Sequence, residues 1–127
     1  MILNYFLVKK EKALVRANIS KLVSDSLGDK EYMNEIVILL NNNIEEFCDS
    51  TTISLKAKDR YSIFRAAHKI INGLEMIQAY VLLDYITMIQ KECQYMDNFT
   101  NIKNLFIDFK MEYAYVLKEI NSQIDNL

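Results

Sequence analysis

The stretch TNIKNLFIDFKMEYAYVLKEINSQID, residues 100–125, decides the fold. Ile102, Leu105, Phe106, Phe109, Tyr113, Val116, Leu117, Ile120 and Ile124 recur at spacings of three and four, the period of one face of an α-helix. A long helix with so continuous an apolar stripe has to bury it against other elements.

The same period extends upstream. Residues 79–95 carry Val81, Leu82, Tyr85, Ile86, Ile89 and Cys93; residues 59–77 carry Ile63, Ala67, Ile70, Leu74 and Ile77. From Lys30 to the low fifties, Met33, Ile36, Val37, Leu40, Ile44 and Phe47 form one stripe, with Asn41-Asn42-Asn43 on the opposite face. Polar Asp49-Ser50-Thr51-Thr52 predicts fraying there, and Ile53 to Lys58 reads as a loop. A first helix, about residues 9–26, uses Leu14, Ile19, Leu22 and Val23 and begins with Lys9, Lys10, Lys12 and Arg16. Gly28 suits a left-handed cap after it. Asp29 suits the N-cap of the next helix, helped by Glu31 at the positive end of the dipole. Asp97-Asn98 reads as the last turn.

Helices of this length with short connections pack against their sequence neighbours, so the predicted class is all-α. The expected architecture is an antiparallel four-helix up-and-down bundle with an additional N-terminal helix. A single domain covers residues 1–127. Residues 1–18 are an N-terminal extension or extra helix, and about 19–124 form the bundle.

Composition agrees. The chain has 127 residues, 51% hydrophobic and 25% charged, within the range of an ordinary globular domain. It contains no Pro and two Gly, too few for the turns of a sandwich or barrel and too few for a Gly-rich phosphate loop. Fifteen Lys and Arg against 17 Asp and Glu leave a net charge of -2, without the basic excess of a nucleic-acid module. One disulfide between Cys48 and Cys93 is arithmetically possible, but lone, widely spaced cysteines read as two free thiols of a reducing compartment. One His and two lone Cys do not furnish a usual zinc site, so no metal ligands are assigned. The apolar start, Met1 to Val8, is far shorter than the roughly twenty residues of a membrane span. It also lacks the basic lead of a signal peptide. The expectation is a cytoplasmic protein, or a cytoplasmic piece of a larger one, with no membrane and no nucleic-acid partner. The six Met and eight Tyr read as core filling and bundle rim.

Ordinary catalytic sets are absent from the sequence. It has no GxSxG elbow and no Cys/His pair at a recognisable spacing. Glu45 and Glu46 are adjacent, about 100° apart on a helix, and read as a solvated face. His68 is the only histidine. It falls one position past Ala67, at the edge of its helix's apolar stripe, with Phe64, Arg65, Ile71 and Asn72 one turn away. A partly exposed imidazole follows. Gly73 in mid-helix costs about 1 kcal/mol relative to Ala; close approach of another backbone is the expected compensation. On these residues alone, a rim histidine beside a tight helix contact is the plainer reading.

The segment His68-Lys69-Ile70-Ile71-Asn72-Gly73-Leu74-Glu75-Met76-Ile77-Gln78-Ala79 resembles the signature H-x-x-K-G-x-x-x-x-[LI]-G-A of histidine-containing phosphotransfer (HPt) domains of bacterial multistep phosphorelays. Ala67 before the histidine, Ile77 and Ala79 fit. Leu27-Gly28-Asp29-Lys30-Glu31-Tyr32-Met33 resembles the segment that opens the family's first bundle helix, and Tyr80 to Gln90 the helix after the signature. The resemblance covers about residues 19–124 and implies a bend at Gln78-Ala79. Three positions depart from it: Ile71 stands for a Lys that neutralises the phosphoryl group, Asn72 for a Gly that leaves room for the partner, and Gln78 for a Gly at the turn. Arg65 and Lys69 are the candidate replacements for the missing charge. Gln90 falls where the family places a residue that hydrogen-bonds the imidazole, fixing its tautomer.

What the resemblance implies is phosphoryl relay. A receiver-domain aspartyl phosphate passes its phosphoryl group to His68, and a second receiver accepts it. The chain would need no cofactor of its own, Mg²⁺ being held by the receiver, and would be a carrier rather than an enzyme. Expected partners are response-regulator receiver domains and a hybrid sensor histidine kinase. The expected docking positions are Phe64, Ile71, Asn72, Gly73 and Glu75, framed by Arg65 and Lys69. The alternative is a bundle of the same shape that docks a receiver or kinase without being phosphorylated; an unrelated helical adaptor is a third reading.

Overall fold

The computed structural model describes residues 16–95 and 98–127 and places helices at α1 (Ser20–Asp25), α2 (Lys30–Lys56), α3 (Arg60–Lys69), α4 (Ile71–Met76), α5 (Tyr80–Tyr95) and α6 (Phe99–Asp125). There is no strand among the described residues. The predicted all-α class therefore holds. Residues 1–15, and with them the first part of the helix expected over about 9–26, lie outside the described residues.

Side-chain capping sets the helix starts. Asp29 accepts from the Tyr32 N–H at 3.2 Å, Asp59 from that of Ser62 at 3.1 Å, and Asn98 from that of Asn101 at 3.0 Å. Each satisfies one of the orphan donors of a first turn. The ends are set by a repeated backbone device. After α1, α2 and α4, the residues Leu27, Lys58 and Gln78 take φ of 54°, 53° and 52°. Each is followed by the six-to-one bond of a Schellman turn: Gly28 N–H to Val23, Asp59 N–H to Ser54, and Ala79 N–H to Leu74. Gly28 is left-handed too, at φ 77°. The cap residue itself is Leu27, one position earlier than expected. The bend at Gln78-Ala79 stands where it was expected.

Left-handed backbone costs a residue with a Cβ about 1–2 kcal/mol, and glycine escapes it at some cost in unfolded-chain entropy. Lys58 is exposed, so little else changes there. Lys58→Gly is expected to raise the unfolding free energy by about 0.5 kcal/mol, read from the urea midpoint at unchanged slope.

Two sequence expectations are corrected. Residues 49–56 neither fray nor form a loop. α2 runs through to Lys56, because Thr51 and Ser54 are buried in its packed face and Leu55 is half-buried. The predicted helix over 59–77 is broken at Ile70, where the N–H reaches back only to the Ala67 carbonyl, a tightened turn. The β-branched pair Ile70-Ile71 and Gly73 lower helix propensity there.

α2 packs on α3 and α6, α3 on α5, and α5 on α6, closing a ring around one core. Nearly every apolar position expected to face inward does so: Met33, Ile63, Ala67, Leu74, Ile77, Leu82, Ile89, Ile102, Phe109, Val116 and Ile120 are fully buried. Phe47 of α2 meets the rings of Phe106 and Phe109 of α6 edge-on, at centroid distances of 5.8 and 5.2 Å. Asn41, read as part of an outward polar run, is half-buried and accepts the Tyr113 hydroxyl at 2.8 Å. Both cysteines are free; burial pushes each thiol up to about 11, so neither is a thiolate near neutrality.

The segment 16–19, expected to be helical, is instead strapped across α6. The Glu119 carboxylate accepts the backbone N–H groups of Arg16 and Ala17 at 2.6 and 2.8 Å. Gln123 accepts from Ile19 at 3.2 Å and donates to the Ala17 carbonyl at 2.9 Å. The Arg16 guanidinium pairs with Glu112, whose side chain is fully buried, and lies 4.5 Å from the Tyr115 ring centroid. Asn18 N–H donates to the Ile77 carbonyl at 2.8 Å, which ties the strap to the bend.

Candidate functional site

The surface around His68 is built by α3. Asp59 fixes its start twice over, through the Ser62 N–H and a 2.6 Å bond from the Ser62 hydroxyl; that side-chain bond, with the backbone one, holds the Asp59 carboxyl below its ordinary value. Ile63 and Ala67 anchor the buried face at 0% exposure, so helix geometry turns residues 65 and 68 outward. His68 is exposed in the last turn of α3, immediately before the break at Ile70. Arg65, Lys69, Asn72 and Glu75 are exposed with it. Phe64 and Ile71 are half-buried against the core, leaving an apolar edge beside the imidazole.

The two candidate cations do not converge on His68. Arg65 Cζ lies 5.6 Å from the Tyr61 ring centroid, one turn back, because helical side chains lean toward the N-terminus. Such an exposed cation–π contact is worth about 0.5–1 kcal/mol, so the guanidinium can leave it cheaply. Lys69 lines a cleft of about 250 Å³ between α2 and α3, with Glu46, Ser50 and Ala66 among its walls. Gln90 is half-buried on α5, the helix packed against α3; the imidazole contact implied for it is not among the hydrogen bonds of the described residues.

Gly73 does mark a close approach, though not of a backbone. A Cβ there would stand 2.8 Å from Leu40 Cδ1 of α2. The missing side chain thus leaves room for a buried leucine of α2.

Among the described residues, no group of three or more His, Cys, Asp or Glu side chains is placed to hold a metal ion. Nor is any described helix long and apolar enough to cross a membrane. A basic groove between α2 and α6, away from His68, was not singled out from the sequence. The available signal was Lys103, Ile107 and Lys110 at helical spacing on one face of α6.

No protein-family model, curated protein or solved structure matches the chain.

Proposed function

We propose that the chain is a phosphorelay intermediate of the HPt type, with His68 as phosphoryl acceptor, on an antiparallel four-helix up-and-down bundle. The observation that carries the reading is the placement of the only histidine: exposed on a surface helix, edged by half-buried Phe64 and Ile71, with flexible cations one turn away or adjacent. The antiparallel arrangement is supported by cross-contacts between α2 and α6. Phe47 meets Phe109 while Asn41, earlier in α2, meets Tyr113, later in α6.

In this reading a receiver domain docks over Phe64 and Ile71, presenting an aspartyl phosphate and its own Mg²⁺. The lone pair of one His68 ring nitrogen attacks phosphorus in line. The N–P bond forms as the P–O bond to aspartate breaks, and that electron pair stays on the aspartate carboxylate. Catalysis is mainly positioning and charge neutralisation, and the receiver supplies most of the charge. Arg65 swings from Tyr61, or Lys69 from its cleft, to cover the anion that Ile71 cannot. Gln90, on the helix packed against α3, holds the imidazole tautomer as the partner docks. The reverse step delivers the group to a second receiver, and a hybrid kinase stands upstream.

The test is transfer itself. A panel of receiver domains charged by acetyl phosphate and Mg²⁺ is mixed with the chain and followed on a phosphate-affinity gel. The expected result is acid-labile, base-stable label on wild type and none on His68→Gln, with binding of the receiver retained. Binding of a receiver without label on wild type would make the chain a docking module. Neither binding nor label would end the relay reading.

A further inference from the structure

A groove of about 370 Å³ runs between α2 and α6, lined by Thr52, Leu55, Lys56, Lys103, Phe106, Ile107 and Lys110. Its floor is apolar. Its rim carries three lysines and no carboxylate, on a chain whose net charge is -2. Lys110 Nζ lies 4.5 Å from the Phe106 ring centroid, so its ammonium stands over that ring. The apolar surface continues outward along α6, where Ile107 is 40% and Met111 60% exposed.

We infer that this groove receives an acidic amphipathic helix from a partner protein. Charge complementarity chooses the occupant. An apolar floor takes the ridge of a helix at spacings of three and four, and a purely basic rim favours carboxylates on its flanks. Lys103 and Lys110 stand two turns apart on α6, about 10 Å, which matches carboxylates two turns apart on the incoming helix. The floor is recessed between two helices, so a flat anionic bilayer would meet the lysines without reaching Leu55 or Phe106. The groove lies on α2 and α6, and the inference does not depend on chemistry at His68.

The probe is a fluorescein-labelled helical peptide of about 18 residues, with leucines at i, i+3, i+4 and i+7 and glutamates on the flanks. A second peptide carries lysines in place of the glutamates. Fluorescence anisotropy with the full chain should show saturable binding of the acidic peptide and at least about tenfold weaker binding of the basic one. Lys103→Glu with Lys110→Glu should weaken the acidic peptide by about tenfold or more and reverse the preference. Both positions are exposed, and an unchanged urea midpoint verifies that the double variant folds. Amide shifts on binding should centre on Leu55, Phe106 and Ile107. No saturable binding of the acidic peptide, equal affinity for both peptides, insensitivity to the double reversal, or shifts elsewhere would each overturn the inference. So would binding to phosphatidylglycerol vesicles in the absence of peptide binding.

Discussion

Replacing Arg16 with Ala is expected to lower the unfolding free energy by about 3 kcal/mol, measured by urea denaturation at neutral pH. The Glu112 side chain is fully buried, while its Arg16 partner remains about one-third exposed. Breaking a buried pair costs about 3–5 kcal/mol because the charge left behind loses its compensation. The lower end applies here, since Arg16 is partly hydrated already. The opposite deletion is milder. Glu112→Gln removes the buried charge, keeps the volume, and leaves a guanidinium that water can reach, so a loss of about 1 kcal/mol is expected. In the Glu112→Gln background, Arg16→Ala should then cost little more. Equal losses for the two single variants, or simple additivity, would show that the pair is not what holds the strap.

Phe109→Ala is expected to cost about 4 kcal/mol, within the range for emptying a fully buried aromatic site. Phe109 is 0% exposed, meets Phe47 at 5.2 Å across the α2–α6 seam, and stacks on Tyr113 at 6.5 Å and 5°. Two aromatic neighbours, one from each of two long helices, are stiff side chains that relax poorly into the cavity. A double cycle with Phe47→Leu should return a coupling of about 1 kcal/mol, the part carried by edge-on ring geometry beyond area. A loss below about 2 kcal/mol by calorimetry or denaturant would mean that the seam collapses around the gap.

What the sequence made legible follows from which interactions are local. The stripes of α2, α5 and α6 were readable because burial of one helical face imposes a period of three and four. The cap at Asp29 was readable because an N-cap bond spans three residues; Asp59 was read only as a helix start and Asn98 only as a turn. Thr51 and Ser54 were misread because a polar side chain in a packed face looks, in sequence, like the end of a helix. The break at Ile70 left no Pro or Gly at the break itself. Glu112 falls within the inward face of α6 and looks like an error in the stripe until Arg16 is seen beside it. At the candidate site, the exposure of His68 and the close approach at Gly73 were legible from spacing alone. The direction of Arg65 toward Tyr61 and of Lys69 into its cleft was not, since several rotamers serve an exposed cation equally well.

The strap has a consequence for how the molecule is made. Arg16 meets its acceptor Glu119 across 103 positions of chain, and its charge partner Glu112 across 96. During synthesis Arg16 therefore emerges long before anything exists for it to hold. α2, α3 and α5 can pair as they appear, but residues 16–19 wait until α6 has been completed. Closing so long a loop is slow relative to helix pairing. Docking of the strap onto α6 is thus expected late in folding, since it cannot precede the α6 residues that hold it. A nascent protein halted anywhere before Glu112 carries residues 16–19 undocked, and a protease specific for basic residues would report the moment at which the backbone at Arg16 is tied down to Glu119.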